Sequence, residues 1–174
     1  MVKKILVYKN PILRKKSQEV VSFDKSLHTL LDDMYDTMDD ENGVGLAAIQ
    51  IGEPLRVFIL SVPDIDGHQD KNDLIEVINP KIISKKEKTS YDEGCLSLPT
   101  FTEIIERDKI IEVEFQDRFG DKQNKTFDDL TSIAFQHELD HLNGILFVDK
   151  LDIIKRKKFE KEWQRFQKKQ KQQK

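Results

Sequence analysis

Between positions 27 and 38 the apolar residues Leu27, Leu30, Leu31, Met34 and Met38 return every three or four places, with acids filling the gaps. That spacing gathers one apolar stripe on a helical face and predicts a first helix over residues 26–40. Asp24 or Ser26 is placed to cap its start, and Asn42-Gly43 to end it. The methionines sit on the stripe, so they read as core fillers and not as ligands. The period then changes. Residues 55–62, 74–83, 103–106 and 110–115 are runs of Ile, Val and Phe or alternate apolar with polar, which predicts strands of a mixed or antiparallel sheet. Residues 117–122 hold the turn signal Gly120-Asp121, and residues 63–70 are polar and turn-rich, as a surface loop would be.

Helical spacing resumes near the C-terminal end. Ile133, Ala134, His137 and His141 recur at helical intervals, predicting a second helix from Asp129 or Thr131 to Asn143, with Gly144 suited to close it. A third helix is predicted from Ile153 to about Gln170; Phe159, Trp163 and Phe166 form its one aromatic stripe, and Lys and Gln cover the rest. The pattern as a whole predicts an α+β fold, with mixed or antiparallel sheets packed around a central helix and a further helix at the C-terminal end.

That central helix carries the chemistry. Gln136-His137-Glu138-Leu139-Asp140-His141 puts two histidines one turn apart, with a glutamate beside the first. A hydrolase uses this arrangement to hold a divalent metal and a base for water, with His137 and His141 as ligands and Glu138 as the base. Two imidazoles do not complete such a site, because a catalytic ion of this kind usually takes three protein ligands. The single cysteine, Cys95, stands in Tyr91-Asp92-Glu93-Gly94-Cys95-Leu96-Ser97-Leu98-Pro99 and is the third candidate. An inert core cysteine is the bland alternative; a thiolate completing the set makes the site redox-sensitive. Asp140 points along another face, as a solvent-facing acid or the partner of a basic residue. His28 and His68 lie outside this constellation and read as non-ligands. Gly43-Val44-Gly45-Leu46-Ala47-Ala48-Ile49-Gln50 permits close backbone approach, but it is neither a phosphate loop nor a dinucleotide fingerprint. Gln50 could donate its amide to a carbonyl oxygen or serve an ordinary loop hydrogen bond.

Length and charge narrow the setting. At 174 residues the chain suits one domain, and 37% hydrophobic content is low but sufficient for a core. The apolar runs are shorter than a membrane span and Met1–Ile5 lacks a secretory signal's apolar stretch, which predicts a cytoplasmic protein without membrane contact. A lone cysteine makes no internal disulfide. The net charge of −3 hides an asymmetry: residues 155–174 carry ten Lys or Arg against two Glu, a net of +8, leaving −11 on residues 1–154. A basic tail of this kind can orient a protein near a polyanion, or be simply a solvated helix. No nucleic-acid motif accompanies it, so sequence-specific nucleic-acid recognition is not expected.

Taken in order and spacing, Gly43–Gln50, Glu93–Ser97 and Gln136–His141 resemble peptide deformylase, the family that removes the formyl group from the starting methionine of new proteins. The resemblance runs from near the N-terminus to about Leu151. It departs at Ile49, where the family usually has proline, and at Thr100, where many members have glycine or another residue. It implies Cys95, His137 and His141 as ligands of ferrous iron (Fe2+), with Zn2+, Ni2+ or Co2+ possible in purified protein. It implies Glu138 as general base, and the Gln50 amide and Leu96 backbone N–H as donors to the oxyanion. Val44, Tyr91, Leu96, Ile133 and Ala134 would surround the methionine side chain, with His137 at the inner edge, and Gly45 and Gly94 would pair with the backbone of an extended formyl-methionyl nascent peptide. Glu93 would orient the Cys95 segment, with Arg107 as a candidate partner. On this resemblance residues 1–151 form the catalytic domain and residues 152–174 a basic helical extension of it, similar in character to the helix with which some bacterial members contact the ribosome. A metalloprotease, and a non-catalytic ribosome-associated metal-binding domain, are the competing readings.

Overall fold

The computed structural model describes residues 1–64 and 66–172. Asp24 caps the first helix, its carboxylate accepting from the N–H groups of Ser26 (2.9 Å) and Leu27 (3.2 Å), and α1 spans Lys25–Asp40. Five strands follow: β1 (Gly45–Ala47), β2 (Val57–Leu60), β3 (Ile75–Gly94), β4 (Thr102–Gln116) and β5 (Lys122–Asp128). They lie side by side in chain order, and each neighbouring pair is antiparallel. Of the two arrangements open from the sequence, the sheet takes the antiparallel one; among the described residues parallel pairing is confined to an isolated bridge between Gln18 and Leu55. Helices α2 (Asp129–Leu142) and α3 (Ile153–Gln172) complete the α+β fold. Among the described residues no helix is long and apolar enough to cross a membrane.

The unbroken apolar run of β2 has a simple cause: both of its faces are covered. Val57 and Ile59 pack into the cluster of the α1 stripe, with Leu31, Met34 and Met38, while Phe58 and Leu60 pack with Ala134 and Phe135 of α2. Burying each such side chain stabilises the fold by roughly 1.5–3 kcal/mol. The sheet is therefore clamped between α1 and α2, and α2 is buried on nearly every side, including Gln136, His137, Glu138 and His141. Gln136 locks it to β4 by accepting from the Asp108 N–H (3.0 Å) and donating to the Asp108 carbonyl (2.7 Å).

Several boundaries depart from the apolar pattern. β3 does not end at Ile83 but runs on to Gly94, because its outer half is held by the backbone ladder to β4, from Lys85 opposite Ile111 to Gly94 opposite Thr102. Residues 103–106 and 110–115 belong to one strand; Arg107 and Asp108 between them are buried polar residues and not a turn. β5, with the sequence Lys-Gln-Asn-Lys-Thr-Phe-Asp, is a mostly exposed edge strand without apolar alternation. β1 lies inside the glycine-rich segment, followed at once by a 3₁₀ turn over Ala48–Ile51. In the polar loop, Asp64 accepts from the N–H groups of Asp66 and His68; Ile65 lies outside the described residues.

α2 stops where Gly144 takes φ 73°, with its N–H on the His141 carbonyl and the Ile145 N–H on the Asp140 carbonyl, both at 3.0 Å. This double closure needs a left-handed residue, and a Cβ there would stand 2.5 Å from the Arg14 carbonyl oxygen, so glycine is required on both counts. Thr100, in the connection from β3 to β4, holds φ 68° despite its branched side chain. Thr100→Gly is expected to stabilise the protein by about 0.5–1 kcal/mol, the relieved strain less glycine's extra chain entropy. A higher urea midpoint at unchanged slope would register it.

Candidate active site

The end of β3 delivers Glu93, Gly94 and then Cys95, while one face of α2 delivers His137 and His141. Cys95 Sγ lies 3.3 Å from His141 Nε2, and the two histidine Nε2 atoms lie 3.2 Å apart. Ligands at about 2.0–2.1 Å for nitrogen and 2.3 Å for sulfur, set at tetrahedral angles around one ion, stand roughly 3.3–3.6 Å from each other. The donor set thus fits a single divalent cation, and these three residues form the metal site.

A buried charge network sets the histidine. His137 Nδ1 bonds Glu93 Oε2 at 2.8 Å, which turns Nε2 towards Cys95 and His141. Arg107 grips the same carboxylate with two nitrogens, Nε to Oε1 at 2.7 Å and Nη2 to Oε2 at 3.0 Å, and both residues are only 4% exposed. Its third nitrogen bonds Asp140, which also meets Lys150. Burial alone would raise the Glu93 carboxyl; the Arg107 and His137 hydrogen bonds overcome that and bring it down to about 2. Burial pushes the His141 imidazole well below its ordinary value, and the neighbouring His137 adds to the effect.

Glu138 is buried beside the donors; its Oε2 has no hydrogen-bond partner among the described residues, and burial pushes its carboxyl up to about 7. Gly45 makes room for it: a Cβ at Gly45 would fall 2.6 Å from Glu138 Oε1 and 3.0 Å from its Cγ. Gly45→Ala is expected to swing the Glu138 side chain aside and cut turnover about 100-fold, with metal content and fold retained. Metal analysis beside a rate measurement would separate the two effects. Gln50 is oriented by its own neighbours, accepting from the Ala47 N–H at 2.8 Å and donating from Nε2 to Ser97 Oγ at 3.1 Å. The same Nε2 faces Cys95 Sγ at 3.7 Å, so its donor end points to the metal site.

A cleft of about 600 Å³ opens over these groups. Val44, Gly45, Tyr91, Gly94, Leu96, Ile133, Ala134 and His137 all border it, together with Gln50, Cys95 and Glu138. His141 sits deeper and is 1% exposed. Tyr91 is 45% exposed, which puts it at the rim. Leu130, Leu98, Thr100 and Phe101 also border the cleft and were not anticipated. Leu130 lies one helical turn before Ile133 and Ala134, a phase that could have flagged it; the other three come from an irregular connection with no periodic signal. His28 is occupied elsewhere, its ring bonded to the Arg118 carbonyl at 2.8 Å.

A family model for polypeptide deformylase matches residues 2–157. The chain belongs to the polypeptide deformylase family. It is 54% identical over 167 residues to the peptide deformylase of Helicobacter pylori strain P12, covering 96% of each chain. The crystal structure of a peptide deformylase from Legionella pneumophila shares the fold at a TM-score of 0.90 and 41% identity, with 98% of both chains covered. A Met-Ala-Ser-bound class I type b peptide deformylase from Acinetobacter baumannii does so at a TM-score of 0.81 and 31% identity, over 87% of this chain and 99% of that one. In this deformylase-family chain Thr100 holds the left-handed backbone noted above, a conformation that glycine adopts without strain.

Proposed function

We propose that the chain removes the formyl group from the initiating methionine of nascent polypeptides, releasing formate and a free amino terminus. The observation that carries this reading is the meeting of Cys95, His137 and His141 donor atoms beside the buried Glu138 carboxyl, at one cleft with apolar walls. Ferrous iron is the ion the family resemblance favours for these ligands, with Zn2+, Ni2+ or Co2+ fitting the same donors. When bound, the cation supplies Lewis acidity, which brings the ionisation of water towards neutral pH and polarises a carbonyl.

The residues do the rest. Glu138 takes the proton of the water that attacks the formyl carbon, and later hands it to the leaving amine nitrogen; a carboxyl raised by burial is suited to both roles. Gln50 Nε2 and the Leu96 N–H donate to the formyl oxygen as charge develops there, each lowering the barrier by about 3 kcal/mol. Val44, Leu96, Ile133 and Ala134 enclose the methionine thioether, with His137 at the inner edge and Tyr91 at the rim. β1 is an edge strand, so an extended peptide can pair with backbone at Gly45 on one side and Gly94 on the other. Recognition through the backbone suits nascent chains of varied sequence. The Acinetobacter baumannii relative binds Met-Ala-Ser, a peptide of the product class, which supports a peptide as the ligand class.

We assign the protein to the cytoplasm, where nascent chains are met, and the basic outer face of α3 to ribosome contact near the nascent-chain exit. Unchanged ribosome affinity after truncation beyond Asp152 would count against that contact. The activity itself is tested anaerobically with formyl-Met-Ala-Ser against a peptide offering only internal amide bonds. Formate release from the first and no cleavage of the second is expected; the reverse outcome would favour a metalloprotease.

A further inference from the structure

Residues 95–101 bring one ligand and one wall of the cleft, yet no strand ladder holds them. They are folded on themselves by the Leu98 N–H on the Cys95 carbonyl (2.8 Å) and the Phe101 N–H on the Leu98 carbonyl (3.2 Å). Their support comes from behind, from both ends of the chain. The Tyr8 N–H donates to the Ser97 carbonyl at 2.8 Å, and the Leu6 N–H to the Gln50 carbonyl at 2.7 Å. Tyr8 in turn rests on α3: its hydroxyl donates to Glu160 at 2.6 Å, and its ring meets Phe159 edge-on at 4.9 Å and Trp163 at 5.3 Å.

A second route is aromatic. Phe101 borders the cleft, and its ring lies 4.5 Å from that of Phe159. It also stacks on Phe147 at 6.0 Å, and Phe147 lies 6.1 Å from the ring of the ligand His137. Phe159 has no exposed surface. Close-packed contacts of this kind transmit a lost side chain as a shift of its neighbours, because each gap forfeits attraction on one side. α3 therefore stands one aromatic ring behind the cleft wall. By the polar route, Glu160 to Tyr8 to Ser97 to Gln50, it also reaches the carboxamide that faces the metal site.

We propose that α3 works as the rear support of the peptide cleft, with Phe159 and Tyr8 as positioning residues for Phe101 and Gln50, so that residues 152–172 are part of the catalytic domain. The identity of the peptide rests on the deformylase reading; the support itself does not. Without the Phe159 ring, Phe101 can lean back into the void and the cleft loses its fitted wall. Peptide binding weakens while Glu138 and the three ligands stay in place.

The test uses full-length, nickel-loaded protein at a temperature where circular dichroism shows it folded. Phe159→Ala, Phe159→Leu and, as a control on the exposed face, Lys157→Ala are compared by KM and kcat on formyl-Met-Ala-Ser, by Kd for Met-Ala-Ser, by metal content, and by amide hydrogen exchange over residues 96–101. Phe159→Ala is expected to raise KM and Kd about tenfold, with kcat changed less than about threefold and metal content unchanged. Phe159→Leu, which refills most of the volume, should come back to within about threefold of the unsubstituted protein, and Lys157→Ala should match it. Faster exchange over residues 96–101 should accompany the raised constants. A lower melting temperature with KM, Kd and exchange all unchanged would overturn the proposal, leaving α3 a stabilising element only. If Phe159→Ala does not fold, Phe159→Val, which leaves a larger gap than leucine, decides by the same quantities, a rise beyond about threefold supporting the proposal and no change overturning it. Absence of formate release from the unsubstituted protein would overturn the deformylase reading alone, and the exchange measurement would then decide for or against the support.

Discussion

Glu138→Gln is expected to lower kcat on formyl-methionyl peptides by about three orders of magnitude while metal content and fold are kept, because the amide copies the shape of the carboxyl and cannot take a proton. Little structure depends on the charge. Oε2 has no hydrogen-bond partner among the described residues, and burial already disfavours the ionised form, so a neutral replacement removes no buried ion pair. The neighbouring ligand His137 keeps its own bond to Glu93. Formate release measured beside metal content by elemental analysis separates lost chemistry from a lost ion. A variant within about tenfold of the unsubstituted rate would show that the proton is taken by another group.

The largest effect on stability should come from Arg107→Ala. Arg107 binds Glu93 through two nitrogens and reaches Asp140 with a third. Its removal strands a buried carboxylate, and breaking a buried pair from one side costs about 3–5 kcal/mol. Asp140 retains Lys150, so the cost concentrates on Glu93. That carboxylate also orients His137, and metal affinity should fall by about 10- to 100-fold as its support loosens. Urea unfolding at a fixed metal concentration would read the first effect and competition with a chelator the second. A loss under about 1 kcal/mol would mean that water reaches Glu93 when the guanidinium is gone. Pairing Arg107→Ala with Glu93→Gln should cost less than the sum of the two, since the double variant leaves no unpaired buried charge.

The parts of this fold that were legible in the sequence are those in which one residue's physics announces itself. The α1 stripe, the Asp24 cap and Gly144 each satisfy a local rule, and the structure uses each as expected. The histidine pair and Glu138 were readable from one helical turn. Cys95 was readable as the third donor only because two histidines demanded one. What stayed hidden was set by pairing over distance. Residues 84–92 extend β3 through their register with β4, although most of their side chains are in water, and β5 is a strand for the same reason. The partnership of Glu93 and Arg107 was anticipated, but the reach of Arg107 to Asp140 on α2 depends on the packing of β4 against that helix. The room that Gly45 leaves for Glu138, and the aromatic wall from Phe101 to Phe159, are likewise contacts between distant segments that no spacing encodes.

The central claim is that one divalent ion is held by a thiolate from the end of β3 and two imidazoles from α2, within proton-transfer reach of Glu138. Anomalous diffraction from crystals grown and kept under reducing, anaerobic conditions tests it most directly. The account predicts one strong peak at bonding distance from Cys95 Sγ, His137 Nε2 and His141 Nε2, with a Glu138 oxygen positioned to hydrogen-bond a water at the fourth corner. A peak elsewhere, or an ion at the two histidines with reduced Cys95 turned away and another side chain in its place, would contradict it.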